Sequence, residues 1–379
     1  MKLVFFSNYF NSHQKPLAYE FIKILGAENY KFVATEHVEK NLNLSQVGAE
    51  FDNDPCVFKY YERPDEARKI INEADCVIIA GLPVGLVRER LAAGKLTFMH
   101  SERFFKGPFS KDLVRFFKYS LYSGGRKAAR DFNSKFFLLS AGAFVTGDYK
   151  ICGLFKNKAY KWAYFPEHKN YSDIKNLIAR KNKNSILWVN RLIDWKHPEL
   201  AVRLAKNLKA LNLNFSLKII GDGPELEGLK NLIDSLSLRD CVNLTGPVPR
   251  DEVRAEMECA GILISTSDRQ EGWGATISEG MSSGCAVVAG NKIGAVPFLI
   301  QNNFNGLIFK DRDLKDLSEK VASLLKNPEK VSLLGLAAYE SMSRNWNAPV
   351  AAKRFIEFCD ALQTGKATNF SEGPLAIDN

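Results

Sequence analysis

Short apolar runs of a few residues alternate along this chain with stretches whose apolar positions recur at three- and four-residue spacing. The first pattern predicts buried strands and the second amphipathic helices, and their alternation predicts parallel sheets covered by helices. In the first half, strands are predicted at Leu3–Phe6, Lys31–Ala34, Cys76–Ala80, Leu96–Met99, Phe136–Leu139 and Trp162–Phe165. Helices are predicted at Lys15–Leu25, Pro64–Asn72, Lys111–Tyr122 and Gly142–Leu154. The second half is more regular, with strands at Ile186–Asn190, Ser216–Gly221, Val242–Thr245, Gly261–Ser265 and Ala286–Ala289, each followed by a helical pattern. The reading is α/β, with two doubly wound Rossmann-like domains.

The polar stretch PEHKNYSDIKN, residues 166–176, separates the two halves as a linker. The predicted organisation is therefore a first domain over 1–168 and a second over 183–345. The segment WNAPVAAKRFIEFCDALQ has apolar residues at helical spacing and predicts a terminal helix over 346–365. Residues 366–379 carry no pattern and predict a flexible tail.

A length of 379 residues supports this division, because one hydrophobic core rarely serves so long a chain. With 46% apolar and 25% charged residues, the composition is that of an ordinary globular protein. The seven cysteines are odd in number, scattered and without close CxxC pairs. This argues against a disulfide framework and a zinc site, and points to the reducing cytoplasm. The opening MKLVFFSNYF turns polar at Ser7 and Asn8 and reads as a first strand rather than a secretion signal. No apolar run approaches the ~18 residues a membrane span requires. A soluble or peripheral protein is expected.

The net charge of +9 is unevenly placed. Between Arg103 and Lys161 stand thirteen Lys or Arg against three acids, an excess of ten that outweighs the whole-chain surplus. Aromatics interleave with this charge in RFFKGPFSKDLVRFFKYSLYSGGRK. Segment 103–161 therefore predicts a basic, amphipathic surface for anionic headgroups or a pyrophosphate-bearing acceptor, and places the protein at the inner face of the membrane. A solvated basic face over core aromatics is the plainer alternative. No nucleic-acid recognition motif accompanies the charge.

The chemistry concentrates in the second half. Ligands of open α/β sheets settle at the carboxyl ends of the strands, and Arg191 and Lys196 follow the strand ILWVN directly. A guanidinium and an ammonium five residues apart suit one diphosphate. The strand SLKIIG runs into Gly221, Asp222, Gly223 and Pro224, a tight turn expected as scaffold near a nucleotide. The segment STSDRQEGWGATISEG is more specific. Gly272 and Gly274 permit close backbone approach, and the amides of the helix opening near Ala275 face oxyanions. Glu271 and Glu279, eight residues apart, place two carboxylates along one crevice for hydroxyl groups.

These segments resemble the retaining glycosyltransferases of glycosyltransferase family 4, whose two-Rossmann-domain architecture is called GT-B. The resemblance covers about Ile186 to Phe309, running through NRLIDWK, GDGPELEGLK, LTGPVPRDEV, the two-glutamate segment and NNFNGLIF in the family's order. It implies two domains facing across a cleft, with a C-terminal helix packing back toward the first. By the same resemblance, Arg191 and Lys196 neutralise the donor diphosphate, Glu271 contacts the donor sugar and Glu279 holds the ribose. Backbone near Trp273, Gly274 and Ala275 cradles phosphate, Gly221 lies near the nucleotide and Val248 beside the base. The donor implied is a nucleotide diphosphate sugar, UDP-linked first, with no required cofactor or metal, and the acceptor a glycolipid or polysaccharide.

The chain departs from the family pattern where His197 and Pro198 replace a glycine that often follows the lysine, and where Gly280 replaces an alanine. In the first half the resemblance is loose. His100, in FMHSERF, is a candidate for the histidine that family members place in the interdomain cleft, with His13, Glu102 and Arg103 as further acceptor-side candidates. No Ser-His-Asp or Cys-His signature competes with a mechanism in which the leaving diphosphate takes the acceptor's proton. The tripeptide Asp311-Arg312-Asp313 follows the strand LIF and is expected to cap a helix rather than bind metal. Alternatives are a sugar-nucleotide epimerase, a noncatalytic partner on the same scaffold, and a nicotinamide dehydrogenase, the last disfavoured because no GxGxxG follows the opening strand.

Overall fold

The computed structural model describes residues 1–36, 51, 53–80, 85–107, 112, 114, 125–131 and 133–378. They pack as two units, Met1–Glu167 with Asn345–Asn379, and His168–Arg344.

In the first unit the described strands are β1 (Leu3–Ser7), β2 (Tyr30–Ala34), β3 (Val57–Lys59), β4 (Cys76–Ile79), β5 (Leu96–Ser101), β6 (Phe136–Ala141) and β7 (Ala159–Trp162). They form one parallel sheet in the order β3-β2-β1-β4-β5-β6-β7. Every residue of β1, β4 and β6 is buried, which is why these strands read as unbroken apolar runs: helices cover both faces of a parallel sheet. β3 escapes the sequence pattern because three residues are too few to show a period, yet Val57 pairs with Phe32 and extends the sheet. β7 ends where the chain was expected to begin a strand. Pairing of Ala159–Trp162 with Leu138–Ala141 sets its register, and Ala163 and Phe165 are buried beyond it.

One face of this sheet is covered by the helix Lys15–Leu25 and the C-terminal helix Ala348–Thr364. Phe21 meets Phe355 edge-on at 5.5 Å, and Phe98 lies 4.9 Å from Phe355 and 6.0 Å from Phe358. Burying one such phenyl ring contributes about 1.5–3 kcal/mol. Ala348–Thr364 begins with Asn347, whose side chain accepts from the Val350 amide, and ends at Gly365 in the left-handed region. The tail beyond does not fray over its last residues. Leu375 donates its amide to Lys161 O, Lys161 returns one to Ala376 O, and Asp378 donates to Ala159 O, so the segment extends the exposed edge of β7 antiparallel. An unpaired sheet edge explains why a patternless segment is ordered there. Asp378 is buried on the Thr146 hydroxyl, and burial pushes its carboxyl up. The helix expected over Lys111–Tyr122 lies, apart from residues 112 and 114, outside the described residues.

In the second unit the strands are β8 (Asn182–Val189), β9 (Ser216–Ile220), β10 (Val242–Gly246), β11 (Ala260–Ser265), β12 (Ala286–Gly290) and β13 (Leu307–Phe309). The parallel sheet runs β10-β9-β8-β11-β12-β13. Its order reverses between β8 and β11, the switch point at which the carboxyl ends of neighbouring strands splay apart. β8 starts four residues before the apolar run, because polar Asn182 and Ser185 pair through backbone with Ala260 and Ser216. The expected linker is also shorter than its polarity suggests. Asp173 caps a helix, Ile174–Arg180, by accepting from the Asn176 amide. Among the described residues no helix is long and apolar enough to cross a membrane.

Candidate functional site

β8 delivers Asn190–His197 and β11 delivers Thr266–Gly274, so the switch point brings the two cations and the glycine-rich segment onto one edge of the second sheet. The turn after β9 supports the first of these loops from below. Gly221 has φ +154°, and a Cβ there would lie 1.8 Å from Asn190 O. Leu192 N donates to Asp222 O at 2.8 Å and Glu225 N to Leu192 O at 3.0 Å. Gly221 is therefore the backbone rest for the Arg191 loop.

Lys196 is buried, and its Nζ donates to Glu271 Oε2. The same carboxylate oxygen accepts from Ser267 Oγ at 3.3 Å. The ammonium also lies 4.3 Å from the centre of the Trp195 ring. Enclosure by protein strengthens each of these interactions relative to water. Arg191 is exposed at the strand end and takes no part in this pair. The two loops are stitched together by backbone. Asp268 N donates to Trp195 O at 3.0 Å, and Thr266 Oγ1 donates to Lys196 O and His197 O at 2.7 and 2.9 Å. The indole of fully buried Trp188 donates to the same hydroxyl at 2.8 Å.

Gly274 adopts φ +98° and opens the helix Ala275–Ser282, to which it offers no side-chain cap. A Cβ there would meet Ile293 at 2.8 Å, so glycine is required by conformation and by space. The first-turn amides at Ala275 are the positive end of this helix. Trp273 is buried with its ring 6.4 Å from Phe298, and its carbonyl accepts from Ala295 N, so its side chain belongs to the core. Glu279 lies one turn into the helix and faces Arg250 at 3.6 Å rather than Lys196 or Glu271. Val248 is half-buried in the loop between β10 and the helix Arg250–Cys259. Asp313 accepts from the Asp316 amide at 3.0 Å and caps the helix Leu314–Leu325.

In the first unit His100 lies on β5, edge-on to Tyr164 at 5.2 Å and to Phe5 at 6.0 Å. Burial lowers its pKa to about 4, with Glu102 acting in the opposite sense, and its Nε2 is enclosed without a hydrogen-bond partner among the described residues. A neutral, enclosed imidazole with a spare nitrogen suits a hydroxyl ligand. Glu102 accepts from Lys106, while Arg103 pairs with Asp148 at 3.3 Å, which fixes the two as a local structural network. His13 donates its amide to Asn11 Oδ1 in the loop after β1.

The sequence reading thus named Lys196, Glu271, Gly274 and Ala275, which the fold gathers. It passed over Thr266, Ser267, Asp268 and Arg250. Asp268, three residues before Glu271 in SDRQEG, was visible as a turn former. Thr266 and Arg250 act through pairings between distant segments that no local spacing encodes.

Residues 171–341 match the family described as glycosyl transferases group 1. A GDP-mannose-dependent alpha-(1-6)-phosphatidylinositol monomannoside mannosyltransferase of Mycobacterium tuberculosis is 25% identical over 199 residues, 51% of each chain. The amylovoran biosynthesis glycosyltransferase AmsK of Erwinia amylovora is 29% identical over 182 residues, 47% of this chain and 44% of that one. The chain thus spans about half the length of the curated relatives it matches. Among solved structures, Anabaena HepE in complex with UDP superposes with a TM-score of 0.70 at 15% identity, covering 95% of this chain and all of that one. The chain accordingly has the two-Rossmann-domain GT-B fold, and the residues that match glycosyl transferases group 1 fall within its second unit.

Proposed function

We propose that the protein is a retaining glycosyltransferase of the family 4 type, moving a sugar from a nucleotide diphosphate sugar to a glycolipid or polysaccharide acceptor. The observation that carries this reading is the pairing of Lys196 with Glu271 at the switch point, beside the uncapped amino end of Ala275–Ser282. A donor diphosphate takes the positive field of Lys196 and the helix end, with Arg191 closing from solvent. Glu271, released from part of its pairing, accepts from sugar hydroxyls, and Glu279 accepts from the ribose.

In the transfer, the acceptor oxygen forms a bond to the anomeric carbon while the bond from that carbon to the diphosphate oxygen breaks. The electron pair leaves with the diphosphate, which accepts the acceptor's hydroxyl proton. The protein's contribution is orientation and charge stabilisation in an enclosed site. His100, neutral at physiological pH, positions a hydroxyl through its spare nitrogen.

UDP is the preferred nucleotide, supported by HepE in complex with UDP. GDP is the second reading, because the mycobacterial relative is named for GDP-mannose. The acceptor is taken at the inner face of an anionic membrane. Support comes from the basic excess of segment 103–161 and from Ile151, 66% exposed beside Lys150. Part of that segment, 108–111, 113, 115–124 and 132, lies outside the described residues.

The test is donor hydrolysis with UDP-glucose, UDP-N-acetylglucosamine and GDP-mannose. One donor is expected to be turned over, and Lys196→Ala is expected to lower its kcat by about 10²–10³. Equal turnover by the variant and the wild type rejects the site assignment.

A further inference from the structure

His197 has φ +47° and ψ +54°, the left-handed region in which a residue with a Cβ carries a cost of roughly 1 kcal/mol. Glycine would relieve that cost, so the imidazole at this position has something to do. Its two nitrogens are both engaged: Nδ1 lies 3.0 Å from Glu199 Oε1 and Nε2 lies 3.3 Å from Asp268 Oδ2. Glu199 stands in the first turn of the helix Pro198–Ala210, and Asp268 in the loop after β11. Only an imidazolium donates from both nitrogens, and two carboxylates can only accept. The ring therefore ties the Lys196 loop to the Glu271 loop through charge-assisted hydrogen bonds, with the His197 and Asp268 side chains largely buried and that of Glu199 40% exposed.

Asp268 is well placed to transmit this tie. Its carbonyl accepts from Glu271 N at 3.1 Å, its Oδ1 accepts from Gln270 N at 2.8 Å, and its own amide donates to Trp195 O. Moving Asp268 moves Glu271.

We infer that His197 is a positioning residue for the donor site, its imidazole bracing Asp268 and Glu199 so that Lys196 and Glu271 stay in register for a nucleotide diphosphate sugar. This rests on the reading of that pair as the diphosphate and sugar site. The consequence is a pH dependence. The Glu199 hydrogen bond is the largest cause holding the His197 pKa above its ordinary 6.5, with Asp268 adding to it and burial opposing. Lys196, next along the turn, has its ammonium on Glu271. A raised folded pKa means that the brace is complete below about pH 6.5 and is lost as pH rises through the folded value.

The experiment titrates UDP and GDP calorimetrically, from about pH 6 to pH 9, into the wild type, His197→Ala, His197→Gly, His197→Asn and Lys196→Ala. In parallel, NMR follows the His197 imidazole in the wild type and in Asp268→Asn. Both His197→Ala and His197→Gly are expected to bind the nucleotide roughly tenfold more weakly and to lose the alkaline fall in affinity. His197→Asn, which tolerates the left-handed backbone and keeps a neutral donor, is expected to recover part of the affinity without the pH dependence. If His197→Gly binds like the wild type with the same pH profile while Lys196→Ala has lost binding, the donor reading stands and the brace is overturned. If Lys196→Ala binds like the wild type, the donor reading itself fails. The brace is then decided by the imidazole: a pKa lowered in Asp268→Asn supports it, and an unmoved pKa overturns it.

Discussion

The two units share one topological plan and are held in different ways. Both sheets are parallel and wind outward from a central first strand, β1 in one and β8 in the other. The first unit is held by ring volume: Phe5, Phe32, Phe98, Phe137, Phe355 and Phe358 fill one face, and the last two arrive from the far end of the chain. The loops of the second unit that carry Arg191, Lys196 and Glu271 are held where a glycine backbone lies close to a neighbour, Gly221 on the Asn190 carbonyl and Gly274 on the Ile293 side chain. Apolar rings of similar size can exchange with modest cost, whereas a glycine pressed against a carbonyl can be replaced only by displacing that carbonyl. The teaching is that motifs mark where a glycine backbone is pressed close to a neighbour, and that a face filled by side-chain volume leaves no motif to read.

Three measurements break or sharpen this contrast, beginning with the largest effect. Phe355→Ala is expected to destabilise by about 3–5 kcal/mol in denaturant unfolding, because it removes a ring packed against Phe21, Phe98 and Trp162. Nucleotide affinity of the folded protein should not change. A comparable loss of affinity would show that the two units are not independently held.

Gly221→Ala is expected to cost about 3 kcal/mol and, unlike Phe355→Ala, to weaken nucleotide binding as well, since the Arg191 loop must shift to admit the methyl group. Calorimetric titration alongside unfolding separates the two effects. Unchanged affinity would deny the loop its role.

The smallest effect is on pH. His100 has its pKa lowered to about 4 by burial, so its contribution to stability is complete above its unfolded value near 6.5 and declines as pH falls from there toward 4. His168, stacked on Tyr339 in the second unit, is lowered to about 4 mainly by burial and acts with the same sign. Each is expected to add at most about 1.4 kcal/mol of destabilisation per pH unit in that window. Thermal unfolding of His100→Gln between those values should show a shallower slope than the wild type. An identical slope would place His100 in solvent contact.

Much was legible in the residues alone. The helix Lys15–Leu25 was readable to its ends, because Pro16 opens it and Leu17, Ala18 and Phe21 mark its buried side. β1, β4 and β11 were readable because a strand buried on both faces has no polar position to interrupt it. The order of Arg191, Lys196, Glu271 and Glu279 along the chain and the glycines beside them were local patterns, and they pointed to a phosphate and hydroxyl site. What sequence could not tell is how partners are chosen. Lys196 meets Glu271 across 75 positions, and Glu279 meets Arg250 at the start of another helix. The final residues, patternless by themselves, became ordered because β7 had an unpaired edge to offer. Periodicity and turn chemistry act over a few residues and were therefore encoded where they act. Pairings between distant segments depend on strand order and burial, which exist only once the chain has folded.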